Sequence, residues 1–470
     1  MYFADLLFLY FFLPLCFLAY FFARKTKQKN IVLLIFSLIF YAWGEPVKIL
    51  LLVGSAFVNY LLALGMDKYR SVGKSKRFLV ISLIFNIGML GIFKYTDFVI
   101  ENINAIFRVS IPLQHIGLPL GISFFTFQII SYMIDVYWEK VAVQKNFGKL
   151  LMYISLFPQL VAGPIVRYET IADEIDNRKP TLDDLSSGFT RLIVGLTKKV
   201  MLANNLNLLV EALFGKDLAS ATVAGTWIGI IAYSMQVYFD FSGYSDMAIG
   251  LGRIFGFHFD ENFRYPFMCR SISEFWQRWH ISLGSFFRDY LLYLPIFGKR
   301  RPIISLFLVW FTTGLWHGAS WNYVLWGLYF GVFIFIETLI GKKRLKKIPD
   351  FIMHIYSKLV IFIGFGIFKF ESMSDLGNFF KNLIGLNGNK FISENTTDSL
   401  LSYLFVIIIA VIACFPIVQL FKKKLANAKD GVQTAVILGV AAFSLLMLFV
   451  DTNVLVATSS TNNPFLYFRF

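Results

Sequence analysis

Cysteine and histidine are almost missing from this sequence: three and five in 470 residues. Cys16, Cys269 and Cys414 lie far apart in apolar or crowded contexts with no CxxC spacing. That pattern supplies neither a disulfide framework nor a zinc site, and the three read as packing residues. Charge is scarce too. Only 16% of residues are Asp, Glu, Lys or Arg, well below the roughly 25% of a soluble domain. There is no internal repeat, no low-complexity segment and no hydrophilic stretch long enough to form a soluble domain. A serine nucleophile elbow, HExxH, a P-loop and a dinucleotide glycine fingerprint are all absent. No basic region precedes the first apolar stretch, which is long and is followed by RKTKQK. It reads as a retained first helix rather than a removable signal peptide.

What fills the chain instead is apolar: 57% hydrophobic and 18% aromatic residues, with 54 phenylalanines. Apolar runs recur over 2–23, 78–93, 401–420 and 432–450, each roughly long enough to cross a ~30 Å hydrocarbon core. The expected fold class is an all-α polytopic membrane protein. A formal charge of +15 could suggest nucleic acid, but the basic residues sit in short breaks between apolar runs rather than on one amphipathic face. These breaks are Arg24 to Lys29, Lys68 to Arg77, Lys299 to Arg301, Lys342 to Lys347 and Lys422 to Lys424. The positive-inside rule puts all five in the cytoplasm and both termini outside.

With those loops as anchors, helix one runs inward, a pair over 31–65 goes out and back through GEP, and 78–94 runs out. The middle, about 95–270, is interrupted by Pro112, Pro119, Pro158, Pro164 and Pro180, so short or re-entrant segments are expected there. Later spans are predicted from Pro302, over 321–340, 350–370, 400–420 and 432–452, with 371–399 as one external loop. Residues 1–458 form a single membrane domain on this reading, and 459–470 an extracellular tail.

Two histidines lie in dense polar and aromatic clusters. His317, in TTGLWHGASWNYVLWG, is about 15 residues past the last basic residue of its loop, roughly 22 Å along a helix. An ionisable group at that depth usually faces a cavity or a partner; a neutral histidine bonded to a carbonyl between helices is the structural alternative. Gly314 and Gly318 beside it admit close approach. His280 lies in SISEFWQRWHISLGSFFRDYLLY. Helical spacing would put Trp276 and His280 on one face and Gln277 on a neighbouring ridge, although an amphipathic interfacial helix explains the segment nearly as well. Asp240 and Asp246, in QVYFDFSGYSDMAIGLG, and Arg264, in NFRYPF, are read as buried ion-pair material before catalysis. His115 and His354 look like interface residues, and His258 is a weak candidate.

FWQRWHISL, followed 37 residues later by the histidine of TGLWHG, resembles the membrane-bound O-acyltransferase family. GISFFTFQIISYMIDVY (121–137), LFPQLVAGPIVRY (156–168), YFDFSGYSDMAIGLGRIFGF (238–257) and NFRYPF (262–267) are similar to its bacterial, AlgI-like polysaccharide O-acetylation branch. The resemblance covers nearly the whole chain and is most specific over 121–330. It implies a ring of membrane helices with re-entrant segments around a central funnel. By motif, His317 takes the catalytic role and His280 accompanies it. Trp276, Gln277, Arg278, Asp246, Trp316 and Asn322 are candidates to line the substrate path. It further implies a plasma-membrane enzyme that binds no metal or cofactor and takes a cytoplasmic acyl donor, acetyl-CoA or a carrier thioester, as substrate. An extracellular SGNH-like transferase and a polysaccharide or peptidoglycan acceptor would be its partners.

The tail, SSTNNPFLYFRF, resembles the branch again and the small peptide of the teichoic-acid D-alanylation system. Tyr467 would accept the acyl group, while Phe465, Phe468, Arg469 and Phe470 bind the tail in the funnel. An aromatic belt at the membrane interface is the rival account. Two rival functions stay open: D-alanyl transfer to teichoic acid, and a transporter without covalent chemistry.

Overall fold

A computed structural model of the chain describes residues 1–161, 163–215, 218–293, 299, 301–425 and 430–458. The expected tail residues Phe465, Tyr467, Phe468, Arg469 and Phe470 lie outside the described residues. Among the described residues, five helices are long and apolar enough to cross a membrane: Ile49–Lys68, Ser75–Phe107, Trp321–Ile340, Asp350–Lys369 and Gly431–Ala457. A sixth span forms if Glu394–Ser402 and Leu404–Ala413, bent by 57°, count as one. Shorter apolar helices run over Phe8–Phe22, Ile122–Tyr137 and Pro302–His317. The chain is therefore an all-helical, multi-pass membrane protein. It groups into two compact units, one of Met1–Leu192 with Ser245–Asp260, the other of Ile193–Tyr244 with Glu261–Phe470.

In the first unit, the abundance of phenylalanine is used for ring-on-ring packing. Phe157 meets Phe12 at 5.4 Å, Phe40 at 5.6 Å and Phe255 at 5.9 Å between centroids. Inside a bilayer, where burying apolar surface drives no helix association, such contacts and buried polar pairs hold helices together. Asn59 on Ile49–Lys68 and Asn86 on Ser75–Phe107 exchange amide bonds of 2.8 and 3.2 Å, and Ser82 donates to Asn59 at 2.6 Å. Arg178 is buried; its Nε donates to the Phe255 carbonyl at 3.0 Å and to the Tyr20 hydroxyl at 3.1 Å. Short helices over Phe147–Ser155, Phe157–Leu160, Tyr168–Ile171 and Glu174–Asn177 match the broken middle read from the prolines.

Three expectations need revision. The middle of the chain also holds one unbroken helix, Val223–Ile254, a stretch that contains no proline to interrupt it. The span begun at 78 starts at Ser75 and continues to Phe107. The 371–399 loop contains the helix Met373–Leu383 and the start of Glu394–Ser402, each opened by a serine whose side chain accepts a backbone N–H.

In the second unit, Pro302–His317 and Trp321–Ile340 form a tight helical hairpin. A Cβ on Gly314 would strike the Tyr323 carbonyl, and one on Gly327 the Trp310 carbonyl, so glycine is what lets these backbones touch.

Candidate functional site

His317 is the last residue of Pro302–His317. Gly318 follows with extended backbone (φ −171°), which ends the helix there. The histidine thus sits at the carbonyl end of a helix, where a positive charge would be stabilised by the helix dipole. The imidazole is buried, with ring centroids 4.8 Å from Trp326, 4.9 Å from Trp316 and 5.3 Å from Phe368. A Cβ on Gly318 would collide with the Tyr323 ring. Tyr323 packs on Phe368 at 5.0 Å and donates its hydroxyl to Glu371 at 3.0 Å.

The surroundings of His317 are apolar except for a few polar atoms that stand out. Asn322 is fully buried and donates to the carbonyls of Phe368 at 3.1 Å and Ile367 at 3.4 Å, while its Oδ1 has no hydrogen-bond partner among the described residues. The indole nitrogens of Trp326 and Trp276 are likewise buried without a partner among the described residues. Burying such groups unpaired costs free energy, about 1–3 kcal/mol each.

His280 reaches the same neighbourhood by a different route. Its ring lies 5.7 Å from that of Trp316, so one indole touches both histidines. Phe241, on Val223–Ile254, contacts it edge-on at 4.7 Å. The residue takes a left-handed conformation, φ +45°, as does Tyr265 at φ +48°. Bulky side chains rarely adopt that region, and it is tolerated where surrounding structure over-determines it. Here two backbone hydrogen bonds tie the turn to residues 262–264: Arg264 N–H donates to the Arg278 carbonyl at 2.9 Å, and Ile281 N–H to the Asn262 carbonyl at 3.0 Å. Full burial pushes the His280 pKa well below its ordinary value, so this imidazole is neutral.

The helical face expected for Trp276, Gln277 and His280 does not form. The helix stops at Trp276, the chain turns through Gln277–Trp279, and a new helix begins at Ile281. Trp276 packs against Trp310 at 4.9 Å and Trp326 at 5.5 Å. Gln277 is exposed, and Arg278 pairs with Glu274 at 2.5 Å. Helical spacing could not reveal this, because the turn is bonded to residues 262–264, beyond the reach of an i to i+4 pattern.

Ion-pair partners also differ from expectation. Buried Asp240 pairs with buried Lys199 at 2.7 Å in the second unit. Asp246 pairs with Arg191 at 2.8 Å in the first, and Arg264 is exposed. His258 is bracketed by two carboxylates, Glu174 at 2.6 Å and Asp184 at 3.0 Å. His115 is exposed, and the Lys358 ammonium donates to His354 at 3.3 Å. The three cysteines are free and buried. No cluster of metal-ligating side chains occurs among the described residues.

Sequence reading missed Asn262, Trp326, Phe368 and Glu337. A carboxylate inside the apolar stretch WNYVLWGLYFGVFIFIETLI was a visible signal for Glu337; nothing local pointed to Asn262.

Comparison with known proteins supports this assignment of motifs. The family model described as MBOAT, membrane-bound O-acyltransferase family, matches residues 139–374, which include both histidines. A probable alginate O-acetylase AlgI from Pseudomonas aeruginosa is 38% identical over 383 residues, 79% of this chain and 73% of that protein. One from Pseudomonas putida is 34% identical over 490 residues, spanning all of both chains. A peptidoglycan O-acetyltransferase from Helicobacter pylori is 33% identical over 421 residues, 81% of this chain and 79% of the relative. The chain is a member of the membrane-bound O-acyltransferase family.

Proposed function

We propose that this membrane O-acyltransferase takes an acetyl group from a cytoplasmic thioester, acetyl-CoA, and passes it across the membrane for O-acetylation of an extracellular polysaccharide or peptidoglycan. The observation that carries the reading is His317: a buried imidazole at the end of an apolar helix, enclosed by the rings of Trp316, Trp326 and Phe368. The names of the relatives, alginate O-acetylases and a peptidoglycan O-acetyltransferase, support the acceptor class.

In this mechanism His317 accepts the proton of the acceptor hydroxyl as its oxygen attacks the thioester carbonyl. The carbon–sulfur bond breaks, an ester forms, and the proton leaves with the thiol. General-base assistance of this kind contributes about 10²–10⁴ in rate. The aromatic rings around the imidazole exclude water, which would otherwise hydrolyse the acyl group. His280, neutral and held by Asn262, lies across Trp316 from the reacting centre and lines the path.

The first acceptor in the proposal is Tyr467. Residues 459–470, at about 3.3–3.6 Å each, reach up to roughly 40 Å, enough for a tethered tyrosine to enter from outside. The acyl-tyrosine would then be discharged by an extracellular SGNH-like transferase onto the polymer. Both termini are outside in this account, and Phe465, Phe468, Arg469 and Phe470 seat the tail.

The test is the mass of the C-terminal peptide after incubating the protein with acetyl-CoA, for wild type, His317→Ala and Tyr467→Phe. An acetyl adduct on wild type alone is the expected result. A D-alanyl adduct from a carrier-bound donor would favour D-alanylation of teichoic acid, and unimpaired polymer acetylation in Tyr467→Phe cells would remove the tail from the pathway.

A further inference from the structure

The span Trp321–Ile340 carries one acid, Glu337, and it is buried, 3% exposed. A carboxylate inside an apolar span is costly by a few kcal/mol and is retained where it has a task. Its oxygens accept the backbone N–H of Ile272 at 2.6 Å and of Ser273 at 2.9 Å, and the hydroxyl of Tyr356 at 3.2 Å. Those amides are the first two of the short helix Ile272–Trp276, where a negative charge is stabilised by exposed N–H groups and the helix dipole. The same short helix ends at Trp276 and is followed, four residues on, by His280.

Glu337 does not act alone. Eleven residues make just over three whole turns, so Trp326 and Glu337 lie on one face of their helix, with Phe330 between them. Trp326 and Phe330 hold the Trp276 ring at 5.5 and 5.0 Å, while Glu337 holds the amides at the other end of the segment. Trp326 is also the ring against His317, at 4.8 Å. One helix stripe thus fastens the segment leading to His280 at two points and contacts His317 at a third.

We infer that Glu337 is a positioning residue for acyl transfer: its carboxylate sets the height and direction of the Ile272–His280 segment relative to His317. This rests on the function proposed above. Replacing the acid by an apolar residue leaves the Ile272 and Ser273 amides and the Tyr356 hydroxyl without their acceptor and so lowers stability; if it served only as scaffold, activity would still follow the amount of folded protein. With a positioning acid it would not, since a displacement of about 1 Å from the reacting geometry can cost about 10²-fold in rate.

The experiment compares Glu337→Met, Glu337→Gln and His317→Ala in the full-length protein. The initial rate of polymer O-acetylation in cells is divided by the amount of folded protein recovered from membranes. Glu337→Met is expected to be less stable than wild type and, per folded molecule, to lose about 100-fold in rate, with Glu337→Gln, which keeps one acceptor oxygen, recovering about tenfold of that loss. Wild-type rate per folded molecule in Glu337→Met, with His317→Ala inactive, overturns this inference and leaves the proposed function standing. Activity in His317→Ala would instead overturn that function. Should neither Glu337 variant fold, backbone amide exchange in the wild-type protein decides: strong protection of Ile272 and Ser273 is expected, and exchange at the rate of an open loop overturns the proposal.

Discussion

The Nδ1 of His280 lies 3.2 Å from the Oδ1 of Asn262, and that one oxygen also receives the backbone N–H of Ser282 at 3.2 Å and its hydroxyl at 2.9 Å. A backbone N–H can only donate, so the Asn262 atom must be the oxygen and Nδ1 must carry the imidazole proton. The tautomer is thereby set, with the Nε2 lone pair directed away from Asn262. Asn262→Ala leaves buried donors without an acceptor. We expect a loss of about 1–3 kcal/mol in stability and a fall of roughly tenfold or more in O-acetylation per folded molecule, read by thermal unfolding in detergent alongside the cellular acetylation rate.

The Lys199–Asp240 pair, 2.7 Å long and 3% exposed on each side, gives a stability prediction of opposite sign for single and double changes. Lys199→Met or Asp240→Leu alone strands a buried charge and should cost about 3–5 kcal/mol; the double variant should recover most of that loss. Unfolding midpoints of the three variants, compared with wild type, measure the coupling directly.

Gly314 and Gly327 hold the hairpin that ends in His317. An alanine at either position meets a backbone carbonyl of the facing helix, and backbone cannot yield as a side chain can. Each substitution should separate the helices, lower the unfolding midpoint, and reduce acetylation by more than the loss of folded protein explains. Gly54, where an added Cβ has open space, serves as the neutral comparison.

His258 supplies a pH dependence. Partial burial opposes its charge, but the Glu174 and Asp184 carboxylates together outweigh that and raise its pKa above 6.5. A group with a raised folded-state pKa contributes stability that is complete below the unfolded value and is lost as pH rises through the folded one. The link between the 174–184 segment and residue 258 should therefore weaken from about pH 6.5 upward, and His258→Gln should flatten that part of the pH–stability curve. A curve unchanged by the substitution would show that the bracket contributes nothing.

How much was legible in sequence depended on whether the cause was local. The span Trp321–Ile340 was readable almost to the residue, because a largely apolar run of twenty residues bounded by Ser320 and Gly341 leaves few alternatives. His317 was readable too, through the TGLWHG motif and its distance from the basic loop. His280 was found, but its geometry was not: the left-handed turn and the orienting Asn262 come from pairing between residues 262–264 and 278–281. Partner choice was equally hidden. Asp240 and Asp246 lie less than two turns apart on one helix, yet one pairs with Lys199 and the other with Arg191, a division that only tertiary packing decides.

The most direct test of the central claim is the O-acetyl content of the cell-surface polymer in cells making wild-type or His317→Ala protein at matched membrane levels. The account predicts that the acetyl content attributable to this protein disappears in His317→Ala, with the folded protein retained. Acetylation at the wild-type level in that variant would contradict it, and would move the chemistry away from the ring between Trp316, Trp326 and Phe368.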